Sequence, residues 1–365
     1  MGRVVSFRGV SDVDLSWNEA TGAIGDSVTV LPVVVAVTVL TDLSLSTMLV
    51  WFGVFQLVWG LYYGVPVSVE PMKAVAALVI AGSITAGELL VAGLLLGVVL
   101  CLAGATGSLT RLGRVVGSPV VRGIQLGVAL VLVRTGVDLS VTNPTLAGLA
   151  CLIAVVLVVG GYWRTSALAV LLAGGMVAAS TVGLPSPTVP SVGMAVPVGM
   201  SDLTVPALEA TLAQLGMTLG NAALATAVLL GDYFDRDVSP DELATSMGVM
   251  NLVAVPLGAL PMCHGSGGVA GKYAFGARTA GANLLLGVGY LAVAVLAVEL
   301  VAAYPVSMLG VVLVLVALQL GRTSLEAATD YPLVVAVGLC GLFFDLGLAF
   351  VCGIAAYHLL RWRRG

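Results

Sequence analysis

Of the chain's 365 residues only 9% are charged and 59% are apolar, whereas soluble domains carry roughly 25% charged residues. With a mean hydropathy of +1.11, this excludes a water-soluble globular fold and points to a polytopic membrane protein with little mass outside the bilayer. A formal net charge of −4, spread over so few groups, gives no basis for a nucleic-acid partner.

The N-terminal stretch, Met1 to Glu19, lacks the basic-then-apolar layout of a cleaved signal peptide, so the first apolar run is predicted to be a retained span. Turn residues and charges divide the rest of the chain into about fourteen segments on the criterion of ~20 apolar residues per span, some falling short of it. They lie near 22–40, 46–63, 72–82, 87–106, 115–137, 146–161, 166–180, 205–231, 242–258, 264–277, 281–299, 306–320, 331–343 and 346–361. A stretch rich in Pro, Ser and Gly from Thr181 to Thr204 is the only long linker. The expected organisation is a first seven-segment repeat over 1–180, an extracytoplasmic linker over 181–204 and a second repeat over 205–365.

Arginines and lysines should gather in cytoplasmic loops. With the N-terminus inside, alternation of the segments puts Arg3, Arg8, Arg111, Arg114, Arg164, Arg236, Lys272, Arg278, Arg322, Arg361, Arg363 and Arg364 on the cytoplasmic side, with Arg134 the one awkward residue. Both termini are then cytoplasmic. Because seven is odd, the second repeat runs inverted relative to the first, the architecture of secondary transporters that bind substrate near the midplane between broken helices. The expected fold is therefore all-α and polytopic, with short strands before half-helices 3 and 10.

Two signals recur in the same order in each half. The first segments carry Gly25-Asp26 and Gly220-Asn221, and the third carry Pro71-Met72 and Pro261-Met262. The alternating, β-branched run from Val65 to Glu70 favours an extended strand, after which Pro71 suits the first turn of a helix. That helix would begin in mid-membrane, with its first amides and positive dipole end facing the protein interior, where an anion can be held. Gly265, Ser266, Gly267 and Gly268 follow the second Pro-Met pair, and their small size lets a ligand approach bare backbone N–H groups. The run GSGGVA at 265–270 fits a dinucleotide fingerprint only loosely and has no βαβ unit around it.

The stretches GAIGDSVTVLP at 22–32, VPVSVEPMKAVAA at 65–77, GNAALATAVLLGDYF at 220–234 and the long run from Ser239 to Arg278 resemble the molybdate transporter family, a branch of the sulfate permease and uracil permease superfamily. The resemblance implies a core and a gate domain, with an oxyanion held between the third and tenth segments. Where that family often has Gln before Pro-Met-Lys, this chain has Glu70, a carboxylate that would repel a dianion beside it.

The expected substrate-binding set is Met72, Lys73 and Ala74 from the first broken element and Cys263, His264, Gly265, Ser266 and Gly267 from the second. Ser27 and Asn221 add neutral donors. Lys73 could pair with the anion, with Glu70 or with Asp26, since an unpaired ammonium at this depth is costly. His264 could donate to an oxyanion or be a satisfied core histidine. Asp26 and Glu70 are expected to be coupling or proton-carrying groups, and Lys272 a cytoplasmic anchor at a helix end. Five cysteines, four of them inside apolar runs, do not suggest a disulfide framework or a metal cluster. No cofactor is expected, and no nucleophile–base pair points to an enzyme. Together these features predict a secondary active importer of molybdate across the cell membrane, with protons as the coupling ion. Sulfate is the nearest alternative substrate and a nucleobase a more distant one. The lipid bilayer is an expected partner alongside the oxyanion and protons, and a homodimer is compatible with the layout.

Overall fold

A computed structural model describes residues 13–183, 186–187, 199–296 and 298–364. Arg3 and Arg8, and most of the linker, lie outside the described residues. The described residues are mostly helical: α1 (Trp17–Leu40), α2 (Leu45–Tyr63), α3 (Lys73–Ile80), α4 (Ala86–Thr106), α5 (Leu109–Val116), α6 (Ser118–Ser140), α7 (Pro144–Val159) and α8 (Ser166–Val182) precede the linker. After it come α9 (Val205–Met217), α10 (Thr226–Phe234), α11 (Pro240–Ala254), α12 (Ser266–Ala274), α13 (Gly281–Leu296), α14 (Val298–Ala302), α15 (Val306–Glu326), α16 (Tyr331–Phe343) and α17 (Leu346–Arg364). The described residues also hold two two-residue strands, β1 (Glu70–Pro71) and β2 (Met262–Cys263), and short 3-10 turns at Trp163–Thr165, Met200–Asp202 and Val255–Leu257.

Local chemistry sets the helix starts. Ser44, Thr85, Asn143, Thr204, Ser239 and Asp330 each cap a helix by accepting a hydrogen bond from a backbone N–H. In four of the six a proline stands in the first turn, where its missing donor is no loss. Among the described residues seven helices are long and apolar enough to cross a bilayer, and α7, α13 and α16 are shorter apolar helices. All fourteen expected segments contain helix. Two helices are additional to those expected, the amphipathic α5 and the five-residue α14, and the segment expected at 205–231 is α9 continuing into α10 through a π-helical stretch at Thr218–Ala225. That π stretch carries Gly220 and Asn221.

The packing is reciprocal between the halves. Helix α2 packs on α13 as α11 packs on α4, α1 on α12 as α9 on α3, and α8 on α15 as α17 on α6. Helices α1–α4 and α9–α13 form one packed group, the core, while α6–α8 and α15–α17 form the gate around the α6–α15 pair. Glycines allow the closest approaches. A Cβ added to Gly53 would lie 2.8 Å from the Gly287 carbonyl oxygen, and one added to Gly287 would lie 2.8 Å from that of Gly53.

The strands pair antiparallel, Glu70 opposite Cys263 and Pro71 opposite Met262, and the Met72 N–H donates to the Pro261 carbonyl at 2.8 Å. Pro71 therefore belongs to the strand, and α3 starts at Lys73, two residues later than Pro71 alone predicts. Pairing with the second broken element holds the first one extended for longer. Since each strand runs directly into its helix, the pairing sets the amino ends of α3 and α12 side by side with the helices leaving in opposite directions.

Candidate functional site between two half-helices

Met72 is the N-cap residue of α3 and Gly265 that of α12, so the first amides of both helices have no intrahelical acceptor. One of them is already satisfied: the Ala74 N–H donates to Gln214 Oε1 at 2.8 Å, and Gln214 Nε2 donates to Thr218 Oγ1 at 3.0 Å. Ser266 and Gly267, at the first turn of α12, face a cavity instead.

A chain of buried charge runs behind that cavity. Lys272 Nζ, on α12, lies 3.1 Å from Asp26 Oδ2 on α1, and donates to Gln56 Oε1, the Val67 carbonyl and Asn283 Oδ1 at 2.7–3.0 Å. Gln56 Nε2 also donates to Asp26 Oδ2 at 2.9 Å. On the other side of Asp26, Ser68 Oγ lies 2.6 Å from Asp26 Oδ1 and 3.2 Å from Glu70 Oε1. One hydroxyl proton satisfies only one of these carboxylates at a time. Glu70 ends the chain in an ion pair with Lys73. The sequence of charges is cation, anion, anion, cation, with no net charge left over, which is what burial at this depth requires. Lys73 is the one of these four with a partly exposed side chain, at 12%, against 0% for Glu70, Asp26 and Lys272.

The cavity measures about 350 Å³ and separates core from gate. Gly25, Thr29, Lys73, Asn221, Ser266 and Gly267 line it from the core, and Gln125, Trp163, Arg164, Gln319, Arg322 and Glu326 from the gate. Asn221 Oδ1 accepts a hydrogen bond from Ser266 Oγ, tying the π stretch to the first turn of α12. At the gate, the Arg322 guanidinium lies 4.9 Å from the centre of the Trp163 indole, and its Nε donates to Glu326 at 2.6 Å.

Of the residues expected from sequence, Lys73, Asn221, Ser266 and Gly267 line the cavity, whereas Met72, Ala74, Cys263, Gly265 and Ser27 do not. Met72 and Ala74 are wholly buried, Cys263 and Ser27 nearly so. Ser27 Oγ donates back to the Ala23 carbonyl at 3.2 Å, and Gly265 packs against the Glu70 carboxylate, which fills the space a Cβ would need. His264, expected as an anion donor or as a satisfied core histidine, does not line the cavity. Its ring is fully buried, Nε2 lies 2.8 Å from Ser246 Oγ and Nδ1 2.8 Å from the Ser68 carbonyl, so both nitrogens are already engaged. The larger correction is Lys272, which is a fully buried partner of Asp26 and not an interfacial anchor. Asp26 accordingly pairs with Lys272 and leaves Lys73 to Glu70.

Gln56, Ser68 and Asn283 are not among the residues expected from sequence. Gln56 in FQLVW and Asn283 in GANLLLG are lone amides in apolar runs, and burial of such groups without a partner is costly, so a signal is present in the sequence. Gln125 reads there as an ordinary span residue, and Arg164 and Arg322 as loop charges.

A sequence model of the family described as "Molybdate transporter of MFS superfamily" matches residues 18–132 and 206–320, on either side of the linker. Molybdate transporter 2 of Arabidopsis thaliana is 28% identical over 410 residues, covering 95% of this chain and 88% of the relative. Molybdate transporter 1 of Chlamydomonas reinhardtii is 26% identical over 480 residues, covering 94% and 92%. Among solved structures, the transmembrane domain of the cyanobacterial bicarbonate transporter BicA superposes with a TM-score of 0.66 at 18% identity, covering 95% of this chain and 98% of that one. Murine Slc26a9, an anion transporter in an inward-facing state, gives 0.66 at 13% identity, covering 97% and 69%. At these identities the structures speak for the fold alone. The family model matches more than half of the chain, and the relatives align over nearly all of it: the chain belongs to the molybdate transporter family, multi-pass membrane transporters and not enzymes.

Proposed function

We propose that this protein is a secondary active transporter that imports molybdate across the cell membrane together with protons. The observation that carries the reading is Lys73, a partly exposed cation at the amino end of one half-helix, facing a cavity that the first turn of the other half-helix also lines. A tetrahedral dianion there would meet the Lys73 ammonium, the Ser266 and Gly267 amides and the Asn221 side chain. Met72, Ala74, Cys263, His264, Gly265 and Ser27 form the packed wall that holds these groups in register. Asp26 and Glu70 are the candidate coupling groups, because an acid buried among ion pairs is the place where a proton changes the charge balance.

Protons suit the energetics. Moving a dianion toward a negative interior costs ~2.3 kcal/mol per charge per 100 mV, and each accompanying proton offsets one charge. The reciprocal packing of the halves supports two inverted repeats, 1–180 and 205–365, joined by an extracytoplasmic linker. The cavity borders Arg164 and Arg322, on the side the positive-inside rule assigns to the cytoplasm, which fits an inward-open conformation with both termini cytoplasmic. Rocking or sliding of the core against the gate would then close it.

Uptake of labelled molybdate into proteoliposomes tests the reading. An inward proton gradient should drive accumulation above the external concentration, and excess sulfate should compete less well than tungstate. Uptake that never exceeds equilibration, or stronger competition by sulfate, would contradict it.

A further inference from the structure

The Glu70 carboxylate lies against the amino end of α12, behind the cavity lining. It ion-pairs with Lys73, and Cβ atoms built on Gly265 and Gly268, the N-cap and third residues of α12, would both run into its oxygens. The chain's own carboxylate thus lies across the amino end of α12 and holds the cation that faces the cavity. A dianion arriving past Ser266 and Gly267 would find Lys73 already neutralised and a like charge directly behind it.

We propose that Glu70 is a proton-gated stand-in for the transported oxyanion. Ionised, it occupies Lys73 and the amino end of α12, and the cavity does not hold a dianion. Protonated, it releases Lys73 to the substrate, so that one proton enters with each anion. This rests on the reading of the chain as an oxyanion importer and adds which acid takes the proton and why.

The surroundings of the two acids separate their roles. Asp26 keeps Lys272 at 3.1 Å, Gln56 at 2.9 Å and Ser68 at 2.6 Å, all of them buried. None of these partners reaches the cavity, so an arriving anion takes nothing from Asp26. Among the described residues Glu70 ion-pairs with one cation, Lys73, and that partner lines the cavity. The other ionisable groups around Glu70 offer no replacement: Cys263 lies opposite it across the strand pair, both His264 nitrogens are engaged, Tyr290 approaches from α13, and Lys272 stands behind Asp26. A buried carboxylate left without its cation is costly, so loss of Lys73 to the anion and capture of a proton by the Glu70 oxygen occur together. The proton is delivered from solution as hydronium by way of the cavity: one hydronium O–H bond breaks, one O–H bond to Glu70 forms and neutral water is left, and by linkage each ligand favours the other by the same factor.

The test is proton uptake by purified protein in a weakly buffered detergent solution with a pH indicator when molybdate is added, alongside affinity measured from mildly acidic to mildly alkaline pH. Wild type should take up about one proton per anion, and its affinity should fall about tenfold per pH unit on the alkaline side. Glu70→Gln should bind molybdate with no proton uptake and a flat pH profile, and in proteoliposomes should equilibrate molybdate without accumulating it. Lys73→Gln should lose binding at every pH. Wild-type binding without proton uptake, or Glu70→Gln binding that keeps the wild-type pH profile, would overturn the proposal; the wild-type proton count decides the matter even if neither variant folds. Wild type that binds no molybdate, tungstate or sulfate at any pH would instead overturn the oxyanion reading beneath it.

Discussion

Lys272 Nζ and Asp26 Oδ2 lie 3.1 Å apart with both side chains fully buried, and this pair fastens α12 to α1 at the centre of the core. Removing one partner strands the other charge where water does not reach. Lys272→Met should therefore destabilise the protein by ~3–5 kcal/mol, seen as a lower melting temperature in detergent and poor recovery from the membrane. The double variant Asp26→Asn, Lys272→Met should recover part of that loss. A single variant that melts like wild type would show that the pair does not hold the core together.

Neighbouring glycines in the first turn of α12 should behave differently. A Cβ on Gly268 would collide with Asp26, Glu70 and Ser68 oxygens, whereas one on Gly267 meets nothing within 4 Å and projects into the cavity. Gly268→Ala should cost ~1–3 kcal/mol of stability. Gly267→Ala should keep the melting temperature and weaken molybdate binding by narrowing the approach to the amides. Equal stability losses in the two variants would contradict this geometry.

Gln214 supplies the acceptor for the Ala74 amide at the start of α3. Gln214→Leu keeps much of the side-chain volume and leaves that N–H unsatisfied, at ~1–3 kcal/mol. Hydrogen exchange should report it as faster exchange confined to the first turn of α3, and unchanged protection there would argue against the contact.

At the cavity mouth the Arg322–Glu326 pair is more than half exposed and contributes ~0–1 kcal/mol at most. Arg322→Gln should leave the melting temperature alone and slow molybdate uptake at low ionic strength, with the difference shrinking as salt screens the guanidinium. A salt-independent defect would mean that Arg322 acts through packing on Trp163.

Much of this site is legible from local chemistry. Pro71-Met72 and Pro261-Met262 mark the broken elements because proline and extended backbone act within a few residues, and Glu70 and Lys73 pair at i, i+3. The residues that sequence misplaces depend on contacts distant along the chain. Lys272 meets Gln56 across 216 positions, and the positive-inside rule takes it for a loop charge because a buried lysine and an anchoring one look alike until their partners are known. His264 stands at a helix start, which suggests an anion donor, yet the strand pairing turns its ring toward Ser68 and Ser246. The start of α3 shifts for the same reason, since β1 exists only where β2 pairs with it. Gate residues such as Gln125 are invisible in sequence because nothing in α6 itself says which face meets the core.

Lys73 as the anion's partner is tested most directly by a structure of the protein with tungstate bound, whose strong scattering locates the oxyanion without ambiguity. Density is expected in the cavity within hydrogen-bonding distance of Lys73, the Ser266 and Gly267 amides and Asn221, with Lys73 withdrawn from Glu70. Density confined to the Trp163, Arg164 and Arg322 rim, or a tungstate bound while the Glu70–Lys73 pair stays closed, would contradict it.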